Sequence, residues 1–249
     1  MSRQRATLRE TAHRPWPLPE TRWLMGQTWH ELLFAHWPVS PDALRALVPQ
    51  PLEVDTRNGQ GWIGVTPFRI GGLRLRGTPA LPWLSHFPEL NVRTYVDYGG
   101  RPGIYFFSLD AGRRAAVAAA RRGYRLPYFH ARMRATRRDA SVRYESERID
   151  ASGPAARFRA TYAPTDPRLP VEEGALERWL AERYCLYVVD EHGRALRGDI
   201  HHSPWPLQPA AATIDGNTMA APLGIELQGN PLLHYSARQD VLIWPLEPA

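Results

Sequence analysis

Glu89-Leu90-Asn91-Val92-Arg93-Thr94-Tyr95-Val96-Asp97-Tyr98-Gly99-Gly100 alternates in character residue by residue and then stops at two glycines. Successive side chains of a strand point to opposite faces. Leu90, Val92, Thr94 and Val96 therefore share one face, and Glu89, Asn91, Arg93 and Tyr95 share the other. Gly99-Gly100 can supply the positive φ angles of a tight turn, and Ile104 to Leu109 reads as a second strand rich in aromatic residues. The unit is a hairpin with one mostly apolar face and one polar face. Four polar side chains on one face either meet solvent or line a polar interior.

The pattern continues in both directions. Gln27 to Ala35 reads as a strand. Ser40-Pro41-Asp42 then offers an N-cap, a first-turn proline and a first-turn acid to a short helix over Ala43 to Leu47. Gly61 to Arg76 reads as one bent strand or a hairpin. Asp110 is the expected N-cap of an alanine-rich helix from Arg113 to Arg122, with Gly123 as its C′ residue. Strands are expected over Tyr128 to Thr136, Ser141 to Ile149 and Arg157 to Tyr162, followed by an amphipathic helix from Ala175 to Arg183. Shorter strands follow at Cys185 to Val189, Ala195 to His201, Trp205 to Ala211 and Val241 to Trp244. No repeat, low-complexity tract or linker interrupts residues 22–249. Together these features predict a β-rich α+β fold in a single domain, a closed or nearly closed barrel with a few helices packed on it. Residues 1–21, without periodicity, are expected to be a flexible arm.

Every basic side chain except histidine is arginine: the sequence contains no lysine, and its 31 Lys+Arg positions give a net charge of +6. Arginine stays protonated, so chemistry through a lysine Schiff base is closed to this chain. The arginines between Arg113 and Arg148 are interleaved with Asp139, Glu145 and Glu147, and no nucleic-acid-binding motif accompanies them. Nucleic acid is therefore not an expected partner, although an arginine-driven binder is the third reading behind those given below. Cys185 is the lone cysteine, in an apolar run, and reads as an inert thiol of a reducing compartment. There is no apolar leader and no stretch near the ~20 residues of a membrane helix, so the expectation is a soluble, cytoplasmic protein with no membrane partner. Strand edges leave a homo-oligomer open.

Several blocks resemble the uncharacterised YqjF-like family: Pro88 to Val96, Gly103 to Asp110, Leu126 to Met133, Arg183 to Tyr187 and His202 to Leu207. That family is similar in fold to the acetoacetate decarboxylase-like superfamily. The resemblance implies a closed, cone-shaped β-barrel around a central cavity. In the decarboxylase a Schiff-base lysine follows a helix and a short aromatic-proline segment. The matching stretch here, Arg122-Gly123-Tyr124-Arg125-Leu126-Pro127-Tyr128, places Tyr128 where that lysine would stand. Imine-based decarboxylation is thereby excluded.

If the polar face lines a cavity, Arg93 can grip a carboxylate or enolate with Asn91 and Tyr95 beside it. Glu89 can move a proton, and Tyr128 can donate a hydrogen bond to developing negative charge. The competing reading is a buried Glu89–Arg93 ion pair with a structural role. His130 shares the face of Tyr128 and is a weaker ligand-binding candidate, since a lone histidine is more often a satisfied core group. His201-His202 point to opposite faces and make a poor chelating pair, so neither metal nor cofactor is expected. Whether His201, His202 or His234 reaches the cavity is not legible. The expectation is a small-organic-anion protein, either a lyase- or isomerase-type enzyme or a non-catalytic metabolite binder.

Overall fold

Gly99 and Gly100 adopt φ of +63° and +78°, and the Gly100 amide donates to Asp97 Oδ1 at 2.7 Å. The chain reverses there, so β4 (Phe87–Tyr98) pairs antiparallel with β5 (Arg101–Ala111) from Glu89 to Tyr98, with one irregularity between Val92 and Arg93. This is the expected hairpin. The computed structural model describes residues 2–81, 85–167, 172 and 174–249. Around the hairpin lie β1 (Met25–Val39), β2 (Glu53–Val54), β3 (Gly61–Leu75), β6 (Tyr128–Arg138), β7 (Ser141–Arg148) and β8 (Arg157–Pro164). The remaining strands are β9 (Cys185–Val189), β10 (Ala195–His202), β11 (Gln208–Asn217) and β12 (Leu232–Pro248). The helices are short: α1 (Arg3–Ala6), α2 (Pro41–Arg45), α3 (Arg114–Tyr124) and α4 (Leu176–Ala181).

All twelve strands belong to one sheet, and the extra pairings β10–β12 and β5–β4 close it on itself. Following the pairings gives two circuits. One runs β12-β1-β3-β4-β5-β9-β10 and returns to β12; the other leaves β5 through β6-β7-β8-β11 and also returns to β12. The strands β12, β1, β3, β4 and β5 belong to both circuits, so β4 presents one face to each. Leu90 and Val92 join Val142, Tyr144, Phe158 and Tyr162 in the apolar core of the β6–β8 circuit. Their neighbours in sequence must then point the other way. Closure leaves few free edges, which suits a sheet of this size.

The structure corrects several local expectations. Asp110 is not a helix cap: it lies in β5, fully buried, and pairs with Arg148 at 2.8 Å. Helix α3 instead begins after Arg113 with no side-chain cap, and it ends at Arg125 in the left-handed region, leaving Gly123 inside the helix. The cause is parallel pairing of Leu109–Ala111 with Tyr128–His130, which keeps Asp110 extended until the crossover begins. The expected strand at Trp205 starts only at Gln208 and runs on to Asn217. β12 covers seventeen residues because it pairs with β1 over Leu232 to Ile243 while also meeting β11 at His234 and Tyr235 and then β10 from Val241 to Pro248. The segment 2–21, expected as a flexible arm, sends buried side chains onto the barrel. Buried Gln4 donates to Thr28 Oγ1 and to the Gly72 carbonyl, and buried Arg14 donates to the Ile200 carbonyl and faces Asp199 at 3.6 Å. Buried polar groups need such partners, and these two side chains find them on the sheet. Among the described residues no helix is long and apolar enough to cross a membrane.

Candidate active site

The polar face of β4 is buried. Glu89, Asn91, Arg93 and Tyr95 are 4%, 6%, 6% and 0% exposed, so this face lines an interior. Glu89 and Arg93 nevertheless do not form an ion pair. Residues i and i+4 of a strand stand roughly 13 Å apart, beyond direct contact. Each has found a different partner.

Arg93 Nη2 donates to the carbonyl of Leu180 in α4 at 3.2 Å and to the Tyr95 hydroxyl at 3.5 Å. Its guanidinium lies over the rings of Phe34 and Tyr95, 5.2 and 5.7 Å from their centroids. Among the described residues no carboxylate pairs with it. Close approach depends on Gly64, which sits opposite both Arg93 on β4 and His36 on β1. A Cβ there would stand 3.1 Å from His36 Cδ2 and 3.4 Å from Arg93 Cγ. His36 Nε2 and the Tyr95 hydroxyl share a hydrogen bond of 2.6 Å. A second arginine, Arg183, covers Tyr95 and Trp179, but its charge is matched by Asp55 at 2.6 Å.

Four polar atoms around this cluster are buried without a hydrogen-bond partner: His36 Nδ1, Thr66 Oγ1, Asn91 Oδ1 and Arg93 Nε. Thr66 stands opposite Asn91, and Gly64 opposite Arg93, so these groups occupy adjacent positions on β1, β3 and β4. Each such group costs about 1–3 kcal/mol if nothing satisfies it. A polar occupant bonding to several of them at once would recover that cost.

At the other end of the face the Tyr128 hydroxyl donates to Glu89 Oε2 at 3.1 Å. Burial pushes the Glu89 carboxyl up to about 8, against a smaller downward pull from that hydrogen bond. At neutral pH Glu89 is therefore mostly a carboxylic acid. Burial also carries the Tyr128 hydroxyl well above its ordinary range, with the Glu89 charge adding to the effect. His36 is driven well below the usual histidine range by burial, then by the charges of Arg93 and His234, and is a neutral imidazole. On the far side of β4, Tyr144 donates to the Glu89 carbonyl at 2.7 Å and to that of Phe68 at 3.2 Å, tying the backbone beneath the carboxyl. The face thus carries a proton donor at one end, a permanent cation at the other and an amide between them.

The remaining candidates lie elsewhere. His130 is half-buried, and its backbone amide donates to Asp150 Oδ2; its side chain makes no hydrogen bond to the Glu89 or Arg93 groups among the described residues. His201 Nε2 meets the Thr7 carbonyl under the N-terminal segment, while His202 stacks on Tyr184. His234 pairs across β12 with Phe34 and contributes to the field at His36. Among the described residues no group of three or more His, Cys, Asp or Glu could hold a metal ion. Sequence reasoning missed His36, Thr66 and the Asp55–Arg183 pair. The one available signal was a histidine and a threonine placed inside the otherwise apolar runs Leu32–Trp37 and Trp62–Phe68.

Comparison with known proteins agrees with the fold. The fold matches that of an acetoacetate decarboxylase from Legionella pneumophila with a TM-score of 0.64 at 12% identity, over 96% of this chain and 93% of that one. It also matches an enduracididine biosynthesis enzyme complexed with pyruvate, with a TM-score of 0.62 at 13% identity, over 96% of this chain and 93% of that one. At such identities the likeness establishes the fold, an acetoacetate decarboxylase-like closed sheet. In sequence the chain is 49% identical to the uncharacterized protein YqjF of Bacillus subtilis (strain 168) over 230 residues, covering 92% of this chain and 94% of that protein. With residues 26–240 also matching DUF2071, described as an uncharacterized conserved protein family, the chain belongs to the DUF2071 family.

Proposed function

We propose that the interior face of β4 binds a small organic anion and moves a proton on it without a covalent imine. The observation that carries this reading is the cluster of unsatisfied buried groups around Arg93, an arginine with no carboxylate partner among the described residues. A bound carboxylate would accept from Arg93. Oxygens of the same ligand could accept from whichever neighbouring groups donate, and a hydroxyl on it could donate to Asn91 Oδ1. Glu89, protonated at neutral pH, would deliver a proton to a developing enolate or leaving oxygen, and Tyr128 would steady the carboxylate left behind. Enolisation, hydration–dehydration and related lyase steps fit these roles. A structural relative solved with pyruvate supports a carboxylate or keto acid as the ligand class. The second reading, a non-catalytic metabolite binder, is favoured by the absence of any lysine in a fold whose decarboxylase members use one.

Calorimetric titration with pyruvate and a panel of small carboxylates, on wild type and Arg93→Met, tests the binding site. Loss of affinity confined to the variant supports it. Equal affinities, or no binding of any carboxylate, would remove Arg93 from the role. Deuterium exchange at the pyruvate methyl, followed by NMR on wild type and Glu89→Gln, separates the two readings. An enzyme loses exchange in the variant while keeping affinity; a binder shows no exchange in either.

A further inference from the structure

A cavity of about 540 Å³ lies between the N-terminal segment and the edge of the barrel, lined by Ser2, Arg5, Arg22, Trp23, Arg74 and Arg76. Four guanidinium groups converge there, and among the described residues no carboxylate lines the space. We infer that this cavity is a binding site for a phosphate or diphosphate group.

Part of the site is already held in place by contacts within the chain. Arg74 Nε donates to Gln4 Oε1 at 2.8 Å and its Nη2 to Ser2 Oγ at 2.6 Å. Arg74 and Arg76 both lie over the Trp23 ring, 5.1 and 5.7 Å from its centroid. These contacts hold the Arg74 guanidinium and lean that of Arg76 on the Trp23 ring before any ligand arrives, which lowers the ordering cost of binding. Gln4 in turn is seated by bonds to Thr28 and Gly72, and it occupies the space that a side chain at Gly26 would need: a Cβ there would stand 2.7 Å from Gln4 Oε1. Seating Gln4 is what brings Arg5 up to the three arginines of the barrel. A multivalent anion seated among these like charges would offset their mutual repulsion.

The chemistry of the cavity selects the anion. Four arginines without an acidic neighbour exceed what one carboxylate can neutralise. The planar guanidinium fork matches the oxygens of a phosphate. A multivalent oxyanion touching Ser2 and Arg5 on one side and Arg22, Arg74 and Arg76 on the other would also pin the N-terminal segment to the barrel.

The test is isothermal titration of the full chain with inorganic pyrophosphate and with ADP, at ionic strength held constant with sodium chloride. Arg22→Ser/Arg76→Ser is the variant, because both side chains are exposed and the fold does not rest on them. Wild type should bind pyrophosphate, and the double variant should bind at least about tenfold more weakly, since each charge-assisted bond is worth about that factor. ADP binding as well as pyrophosphate would mean that the phosphates alone are recognised; tighter ADP binding would point to a nucleotide as the source. Arg93→Met should bind pyrophosphate as wild type does. The proposal is overturned if neither anion binds, if the double variant binds equally well, or if Arg93→Met abolishes the binding and so places the anion in the barrel interior.

Discussion

Replacing Glu89 by glutamine should make the protein more stable at alkaline pH and leave it nearly unchanged at acid pH. The folded state holds this carboxyl at about 8 against an ordinary value of 4.5, chiefly because burial penalises the charged form. Below pH 4.5 the group is protonated in both folded and unfolded chains and contributes no pH dependence. Between 4.5 and 8 the folded chain binds the extra proton, so wild-type stability falls as pH rises. Above 8 the group is ionised in both states and the loss is complete. From 4.5 to about 8, at roughly 1.36 kcal/mol per pH unit, the loss amounts to about 5 kcal/mol across the window. The glutamine side chain does not titrate and can still accept the Tyr128 hydrogen bond. The stability difference between variant and wild type should therefore grow by about 5 kcal/mol from pH 4.5 to 8, or roughly 10–20 °C in melting temperature for a chain of this size. Taking the difference cancels the buried histidines, which titrate equally in both proteins. Urea unfolding at half-unit steps from pH 4 to 9 measures it. A difference that stays flat, or one that shrinks as pH rises, would refute a buried, proton-bearing Glu89.

Other perturbations follow from the same geometry. Tyr128→Phe removes the hydrogen bond that pulls the Glu89 carboxyl downward, so the upper end of the wild-type stability window should move above 8 in the same unfolding series. Gly64→Ala places a methyl against His36 and Arg93 and should destabilise the fold by about 1–3 kcal/mol, measured by denaturant midpoint, while weakening carboxylate binding. Asp55→Ala strands the buried Arg183 charge and should cost about 3–5 kcal/mol. Arg183→Met, which removes the charge itself, should cost less; equal losses in the two variants would show that the pair acts through packing alone.

The hairpin was legible because two local signals agree on it. Strict alternation from Glu89 to Tyr98 assigns every side chain to a face, and paired glycines accept positive φ where other residues do not. The same alternation is enough to group Glu89, Asn91, Arg93 and Tyr95 on one face. It did not reveal that the face is buried, because a polar face next to solvent would have the same sequence. Closure of the sheet decided that, through pairings such as β10–β12 and β5–β4. Asp110 shows the limit from the other direction. An aspartate before an alanine-rich run is a good cap by local rules, yet a parallel pairing with β6 kept it in the strand and gave it Arg148 as partner. His36, Thr66 and Gly64 joined the site for a similar reason. They lie on β1 and β3, and only cross-strand register brings them opposite Arg93 and Asn91. Sequence by itself determined which residues share a face and, through the absence of lysine, which chemistry is closed. Which faces are dry, which charges go unpaired and which proton is held near neutral pH were decided by tertiary structure, because burial and pairing depend on neighbours that the chain order does not name.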